Sequence, residues 1–249
     1  MSADRYAPEA LRTLQRVIEL NRAEVADAAR LVADCVAAGG VIQAFGTGHS
    51  QVLAAEIAGR AGGLIPTNRL SLADPVLYGG ADLSLLSDPL LERAPGTAAT
   101  IYDLAAPHPE DLFVIISNSG VNNSVVDLAL LVRDRGHQLI AITSREHSMA
   151  VPALHESGKR LLDLATVVMD NGAPLGDALI DGGGGIRVCG VSTLTSSMLI
   201  QMTVAEAIGL LAEDGIDPPV YVSANVPGGH ERNLVLEGRY GERLRRSAL

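Results

Sequence analysis

Residues 111–143, DLFVIISNSGVNNSVVDLALLVRDRGHQLIAIT, pass from an apolar run through a polar junction into a helix-periodic stretch at 123–135 and back to a second apolar run. The same alternation extends outward. GVIQAFG (40–46), GLIPTN (63–68) and TVVMD (166–170) are further short β-rich runs, and residues 50–61 form another helical segment. Near-continuous apolar strands alternating with helices predict a parallel sheet covered on both faces, with right-handed crossovers. The expected fold is α/β: a three-layer α/β/α sandwich with a mainly five-stranded parallel sheet, flavodoxin-like but without a nucleotide site.

Around this core, residues 9–37 carry a largely helical apolar stripe (Leu11, Leu14, Val17, Ile18, Val25, Ala28, Ala29, Val32, Val36) and predict a long helix, with a break allowed. Residues 193–212 form a final helix, apolar nearly all round, which suits burial in a core or a subunit interface. Two regions are less regular. Residues 71–110 are too long for an ordinary connection and predict a lid or site-building loop. Residues 171–191 contain the DGGGG run, read as a flexible turn. The expected organisation is one domain over 1–249, with an N-terminal helical extension (1–38), a core (39–215) and a C-terminal extension (216–249).

Composition excludes several functions. With 29 acidic against 19 basic residues, the formal charge of −10 argues against a nucleic-acid partner, whose binding requires a basic surface. No apolar run approaches the roughly 20 residues needed to span a bilayer, and no signal pattern opens the chain, so no membrane partner and a cytoplasmic location are expected. Cys35 and Cys189 have no metal-type spacing and read as small buried hydrophobes. Nothing in the sequence requires a metal or an organic cofactor.

Ligands of open parallel sheets bind beyond the carboxyl ends of the strands, where helix N-termini point outward. Two junctions there are unusual. In FGTGHSQ, Gly46 and Gly48 allow close approach of backbone and Ser50 stands where a helix starts; in ISNSGVNNS, Ser117, Asn118, Ser119, Asn122 and Ser124 crowd around Gly120. Together they can encircle a phosphate with neutral donors, which lets an acidic protein bind an anion. Serine and asparagine are equally good helix caps, and glycine a good turn former, so the plain structural alternative stands. A dinucleotide site fits worse, since GTGHSQ lacks the third glycine of G-x-G-x-x-G.

GTGHS and SNSGVNNSVVDLALLVRDRGHQLIAITS resemble the glycine-serine loop and the S-x-S-G-x-T signature of the sugar isomerase (SIS) domain, a phosphosugar-binding family, over most of residues 35–215. That resemblance implies that Gly46, Gly48, Ser50, Ser117, Asn118, Ser119 and Asn122 surround the phosphate. Asn122 replaces the usual threonine, and Ser124 stands where a glutamate is common. Within the superfamily, residues 195–233 are most similar to N-acetylmuramic acid 6-phosphate etherases.

A carboxylate near C2 of an opened aldose phosphate can remove the proton acidified by the C1 carbonyl. Reprotonation at C1 gives a ketose, and loss of the C3 substituent gives an unsaturated sugar. Glu56, six residues after Ser50 and about 9 Å along a helix at about 1.5 Å per residue, is the first expected base. Its alternative is a surface i,i+4 pair with Arg60. Glu92, in the long loop, loosely matches the etherases' second acid, and a solvated glutamate is its alternative. His49 sits inside the first junction, and His230, after two glycines, can reach a neighbouring subunit's site. His108, His137, His147 and His155 show no pairing that suggests ligation.

The expected function is a lyase or dehydratase acting on an N-acetyl-amino-sugar 6-phosphate by C2 proton abstraction and elimination at C3. The alternatives are an aldose-ketose phosphosugar isomerase and a non-catalytic sugar-phosphate sensor. The expected partner is a small-molecule sugar phosphate, and a homodimer or homotetramer is expected from the two apolar helices and from the family resemblance.

Overall fold

The computed structural model describes residues 3–88 and 90–245. In chain order it contains α1 (Ala3–Leu20), α2 (Arg22–Ala37), β1 (Ile42–Gly46), α3 (Gln51–Ile57), β2 (Thr67–Leu70), α4 (Asp74–Leu77), α5 (Thr97–Ala105), β3 (Leu112–Ile116) and α6 (Asn123–Asp134). There follow β4 (Gln138–Thr143), α7 (Arg145–Ala150), α8 (Leu161–Leu164), β5 (Val167–Asp170), β6 (Ala178–Gly183), β7 (Ile186–Gly190), α9 (Ser192–Glu213) and α10 (Gly229–Glu237).

The five-stranded sheet is parallel throughout, in the order β2-β1-β3-β4-β5. Successive side chains of a strand point to opposite faces, and the apolar strands divide accordingly. Ile42, Ala44, Leu112, Val114, Ile116, Ile140 and Ile142 pack under α2, α3 and α9. Phe45, Phe113, Ile115, Leu139 and Ala141 pack under α5, α6 and α8. Both faces are therefore buried, which is why these strands read as unbroken apolar runs. The order reverses between β1 and β3, so the crevice of the fold lies beyond the carboxyl ends of those two strands.

The N-terminal helix breaks at Asn21, which is buried and does more than interrupt it. Its amide nitrogen donates to the Val17 and Asp170 carbonyls at 2.8 and 2.9 Å, and its oxygen accepts from the Asp170 N–H at 2.8 Å. The side chain thus pairs with the backbone of β5, an edge strand. At the opposite edge, Asn68 in β2 donates to the Arg243 carbonyl and accepts from the Arg245 N–H, each at 2.8 Å. An asparagine side chain ties a chain segment to each edge strand.

The expected strand at 63–68 lies later, at Thr67–Leu70. Residues 62–65 instead pair with residues 219–221 through bonds such as Gly62 N–H to the Tyr221 carbonyl at 2.8 Å, and Leu64 bridges Val220 antiparallel. The glycine run is the turn of an antiparallel hairpin, β6–β7, with Gly183, Gly184 and Gly185 all at positive φ. Residues 71–110 are not structureless, since they carry α4, two short 3-10 turns and α5.

The expectation that no apolar run is long enough to cross a bilayer is corrected by α9, which has 22 residues and mean hydropathy 1.4. Length and composition alone would allow it to span. Here Leu199, Ile200, Ala207 and Leu211 are buried in the cluster that also holds α2 and the sheet, and 39% of its most apolar 18-residue stretch is buried within this chain.

Cys35 is buried, as expected, and burial pushes its thiol up to about 12, whereas Cys189 is exposed on β7. Thiolate is the reactive form. One thiol per chain is therefore expected to react with Ellman's reagent in the native protein at pH 8, and two after denaturation.

Candidate functional site

At the switch point, the loop after β1 and the loop after β3 face each other across an open cleft of about 290 Å³. Its walls are Thr47, Gly48, His49 and Ser50 on one side and Ser117, Asn118, Ser119 and Asn122 on the other, with Leu53 and Glu92 beside them. His147, Asp177, Ser192 and Thr193 close the far end.

Both loops are shaped by local chemistry. A Cβ on Gly46 would lie 2.6 Å from the Ser50 carbonyl oxygen, so only glycine lets the chain turn back onto the end of β1. Gly48 (φ +54°) and Gly120 (φ +62°) occupy the left-handed region. The Ser117 hydroxyl accepts from the Gly120 N–H at 3.1 Å, closing the second loop on itself. The Asn118 carbonyl accepts from the Ser144 N–H at 3.1 Å and the Thr143 hydroxyl at 3.2 Å, which anchors that loop to the end of β4. Asn122 is the N-cap residue of the 12-residue α6, directing that helix's free N–H groups at the cleft.

Asn171, 2% exposed, supports this loop from behind. Its amide nitrogen donates to Asn118 Oδ1 at 2.7 Å and to Ser196 Oγ at 3.2 Å, while its oxygen accepts from the Ala173 N–H at 3.1 Å. With Asn118 Oδ1 thus occupied, the side-chain NH₂ of Asn118 is the part left to donate to a ligand. Asn171→Ala is expected to weaken inorganic phosphate binding about tenfold without touching the ligand, because one anchored donor becomes a free rotor. Titration calorimetry checks this, and unchanged affinity would remove Asn171 from the account.

The α9 terminus also faces the cleft but is already capped. Asp177, at φ +63°, accepts from the Val191 and Ser192 N–H groups at 3.1 and 2.8 Å and from the Ser192 hydroxyl at 2.7 Å. The Asp177 carboxylate is thus spent on that helix start. Neither lysine nor arginine lines the cleft among the described residues.

A second cleft of about 450 Å³ adjoins the first and shares Thr47, Gly48 and Glu92 with it. Gly46, Gln51, Ser71, Leu72, Ala73, Leu86, Asp88 and Leu91 complete it, so the long 71–110 segment builds one wall. Glu92 stands on the boundary, and its carboxylate makes no hydrogen bond or ion pair with the described residues.

Three expected site residues lie elsewhere in this chain. Glu56 is not at either cleft. Leu53 and Ile57 turn inward from α3, which leaves Glu56 on the flank facing α9, where it pairs with Arg60 and accepts from Gln201 Nε2 at 2.8 Å. Ser124 is buried in the core face of α6 beside Leu128, one turn on, and its hydroxyl has no partner among the described residues. His230 is exposed in the first turn of α10 and lines neither cleft. Conversely, His147 and Asp177 reach the cleft unforeseen. His147 sits one turn into the helix that Ser144 caps, its N–H 3.0 Å from Ser144 Oγ, and its ring Nδ1 is buried without a partner.

Fold and cleft together define a doubly wound α/β protein whose two glycine-serine loops face each other at its switch point. The SIS domain family model matches residues 5–144, and the chain belongs to that family. It is 38% identical over 235 residues to the UPF0309 protein lmo0025 of Listeria monocytogenes, covering 94% of this chain and 95% of the relative. It is 35% identical over 242 residues to a UPF0309 protein of Geobacillus thermodenitrificans, covering 97% and 96%. Among solved structures, the phosphoheptose isomerase of Francisella tularensis superposes with TM-score 0.56 at 14% identity, covering 83% of this chain and 98% of that one. The phosphoheptose isomerase GmhA of Neisseria gonorrhoeae gives 0.54 at 17%, covering 82% and 94%. The Vibrio vulnificus NanR protein complexed with ManNAc-6P gives 0.51 at 19%, covering 84% and 63%.

Proposed function

We propose that this chain is a sugar-phosphate enzyme that binds the phosphate between its two glycine-serine loops and removes the proton at C2 with Glu92, acting as an aldose-ketose isomerase. The observation that carries this reading is the position of Glu92, an unpaired carboxylate on the boundary between the neutral cradle and the adjoining cleft. The names of two structural neighbours, both phosphoheptose isomerases, and the ManNAc-6P bound to a third accord with a phosphosugar ligand.

The chemistry follows from the groups present. Glu92 takes the C2 proton, and the bonding pair moves toward C1 while the carbonyl oxygen gains a proton, giving an enediol. Return of a proton to C1 and loss of the O2 proton give the ketose. His49 and His147, both lining the cleft, are the groups suited to carry the proton between O2 and O1. Elimination, the first expectation from sequence, calls for two carboxylates of different acidity. Glu56 is committed to Arg60 and Gln201, Asp177 to the α9 cap, and Asp88, the other carboxylate of the adjoining cleft, accepts from the Leu90 N–H at 2.8 Å, which favours isomerisation. Elimination stays as the second reading because the adjoining cleft has room for a substituent at C3.

A dimer or tetramer is part of this proposal. Exposed Leu11 and Leu20 on α1 and Leu83 and Leu90 on the long loop would gain cover in it, and a partner would be the source of any role for Glu56 or His230.

The test is incubation with a panel of aldose phosphates in deuterated water, followed by proton NMR. Deuterium at C2 or C1 with a ketose product is expected. Vinylic signals would select elimination, and binding without exchange would overturn catalysis in favour of a sensor.

A further inference from the structure

Resting on the reading that the first cleft holds the phosphate, we infer that the second cleft receives the head of the sugar and rejects any second anionic group. The substrate is then a sugar monophosphate whose phosphate is its only anion. Sugar bisphosphates, phosphorylated sugar acids and 3-O-carboxyalkyl sugar phosphates are excluded.

The two clefts share Thr47, Gly48 and Glu92, so a ligand anchored by its phosphate in the first extends past Glu92 into the second. There the wall changes character. Leu72, Ala73, Leu86 and Leu91 give it apolar surface, Ser71 and Gln51 give it neutral hydrogen-bonding groups, and Asp88 and Glu92 give it two carboxylates. No lysine, arginine or histidine lines it among the described residues. Arg245, beside the Ser71–Asp74 turn, is committed elsewhere: it lies 3.3 Å from Asp74 Oδ2 and stacks 4.6 Å over the Tyr78 ring.

The first cleft also has two carboxylates, Glu92 and Asp177, but Asp177 accepts three hydrogen bonds at the start of α9, and the cleft adds His49, His147 and the α6 N-terminus, none of which lines the second. A carboxylate in the second would stand among two like charges in a partly enclosed space where water screens them less than in bulk. A hydroxyl or acetamide at C2 meets no such penalty, and the leucines suit an acetamide methyl. An ammonium at C2 is favoured by the same charges.

Three ligands separate charge from size in titrations of the full chain: N-acetylglucosamine 6-phosphate, its 3-O-lactyl derivative, and the methyl ester of that derivative. The lactyl acid is expected to bind at least about tenfold more weakly than its ester, which has similar bulk and no carboxylate. Asp88→Asn should narrow that gap about threefold or more, by strengthening binding of the acid more than binding of the ester. Equal or tighter binding of the acid overturns the charge selection and leaves the phosphate site standing. Failure of all three to compete with inorganic phosphate overturns both.

Discussion

Glu92→Gln is expected to lower turnover, or C2 deuterium exchange, by roughly 10³-fold while phosphosugar affinity changes by less than about threefold. The amide keeps the shape of the side chain and its place on the boundary of the two clefts but cannot accept the proton. The loss therefore falls on kcat rather than on binding. Glu56→Gln is the matched control, because Glu56 is paired with Arg60 and Gln201 on the far flank of α3. It should cost less than about threefold in turnover and only a few tenths of a kcal/mol in stability, since a partly exposed i,i+4 pair is worth little. The reverse result, an inert Glu56 variant and an active Glu92 variant, would move the base to Glu56 and require a second copy to bring it to the cleft.

Asp111→Ala should be the most destabilising single truncation of a polar side chain in the fold, by about 3 kcal/mol. The residue is 3% exposed at the start of β3. Its carboxylate accepts from the Val41 N–H at 2.8 Å, Gln43 Nε2 at 3.0 Å and the His108 N–H at 3.2 Å, and it is ion-paired to Arg243. Removing it orphans buried donors at the start of β1, the neighbour of the central strand β3, and releases the C-terminal segment that covers the β2 edge. A fall in Tm of about 6–12 °C follows for a chain of this size. Arg243→Ala should cost clearly less, because three neutral donors still hold the carboxylate. A double-mutant cycle reads the Asp111–Arg243 coupling directly, and additive losses would show that the pair does not act as one clamp.

How far these features could be read from sequence depends on what surrounds each residue. The runs at 40–46, 111–117, 138–143 and 166–170 are strands within two residues of expectation because two helical layers bury most of their positions and keep them largely apolar. The run at 63–68 misled because its Gly-Leu-Ile half pairs antiparallel with residues 219–221, a long-range contact that no local pattern encodes. The β6–β7 hairpin was hidden because half its residues are exposed and its glycines dilute any alternation. The pairing of the two glycine-serine loops across one cleft was legible, since both follow buried parallel strands on either side of the switch point. The place of Glu56 was not legible, because distance along a helix says nothing of rotation about it: with Leu53 and Ile57 inward, residue 56 faces α9. His147 carried a usable signal, since Ser144 follows a strand and caps the next turn, which puts His147 on the same rim as the two glycine loops. Asn171 sits just after β5 by the same logic, and only its pairing with Asn118 reveals what it does.

The central claim is that the two glycine-serine loops hold a phosphate without a cationic side chain. It is tested most directly by titrating the native chain and Ser119→Asp with inorganic phosphate and glucose 6-phosphate, followed by phosphorus NMR. Binding to the native chain, and at least about a hundredfold weaker binding once a carboxylate stands in the cradle, is the predicted result. Equal binding by both would put the phosphate somewhere else on the molecule and contradict the account.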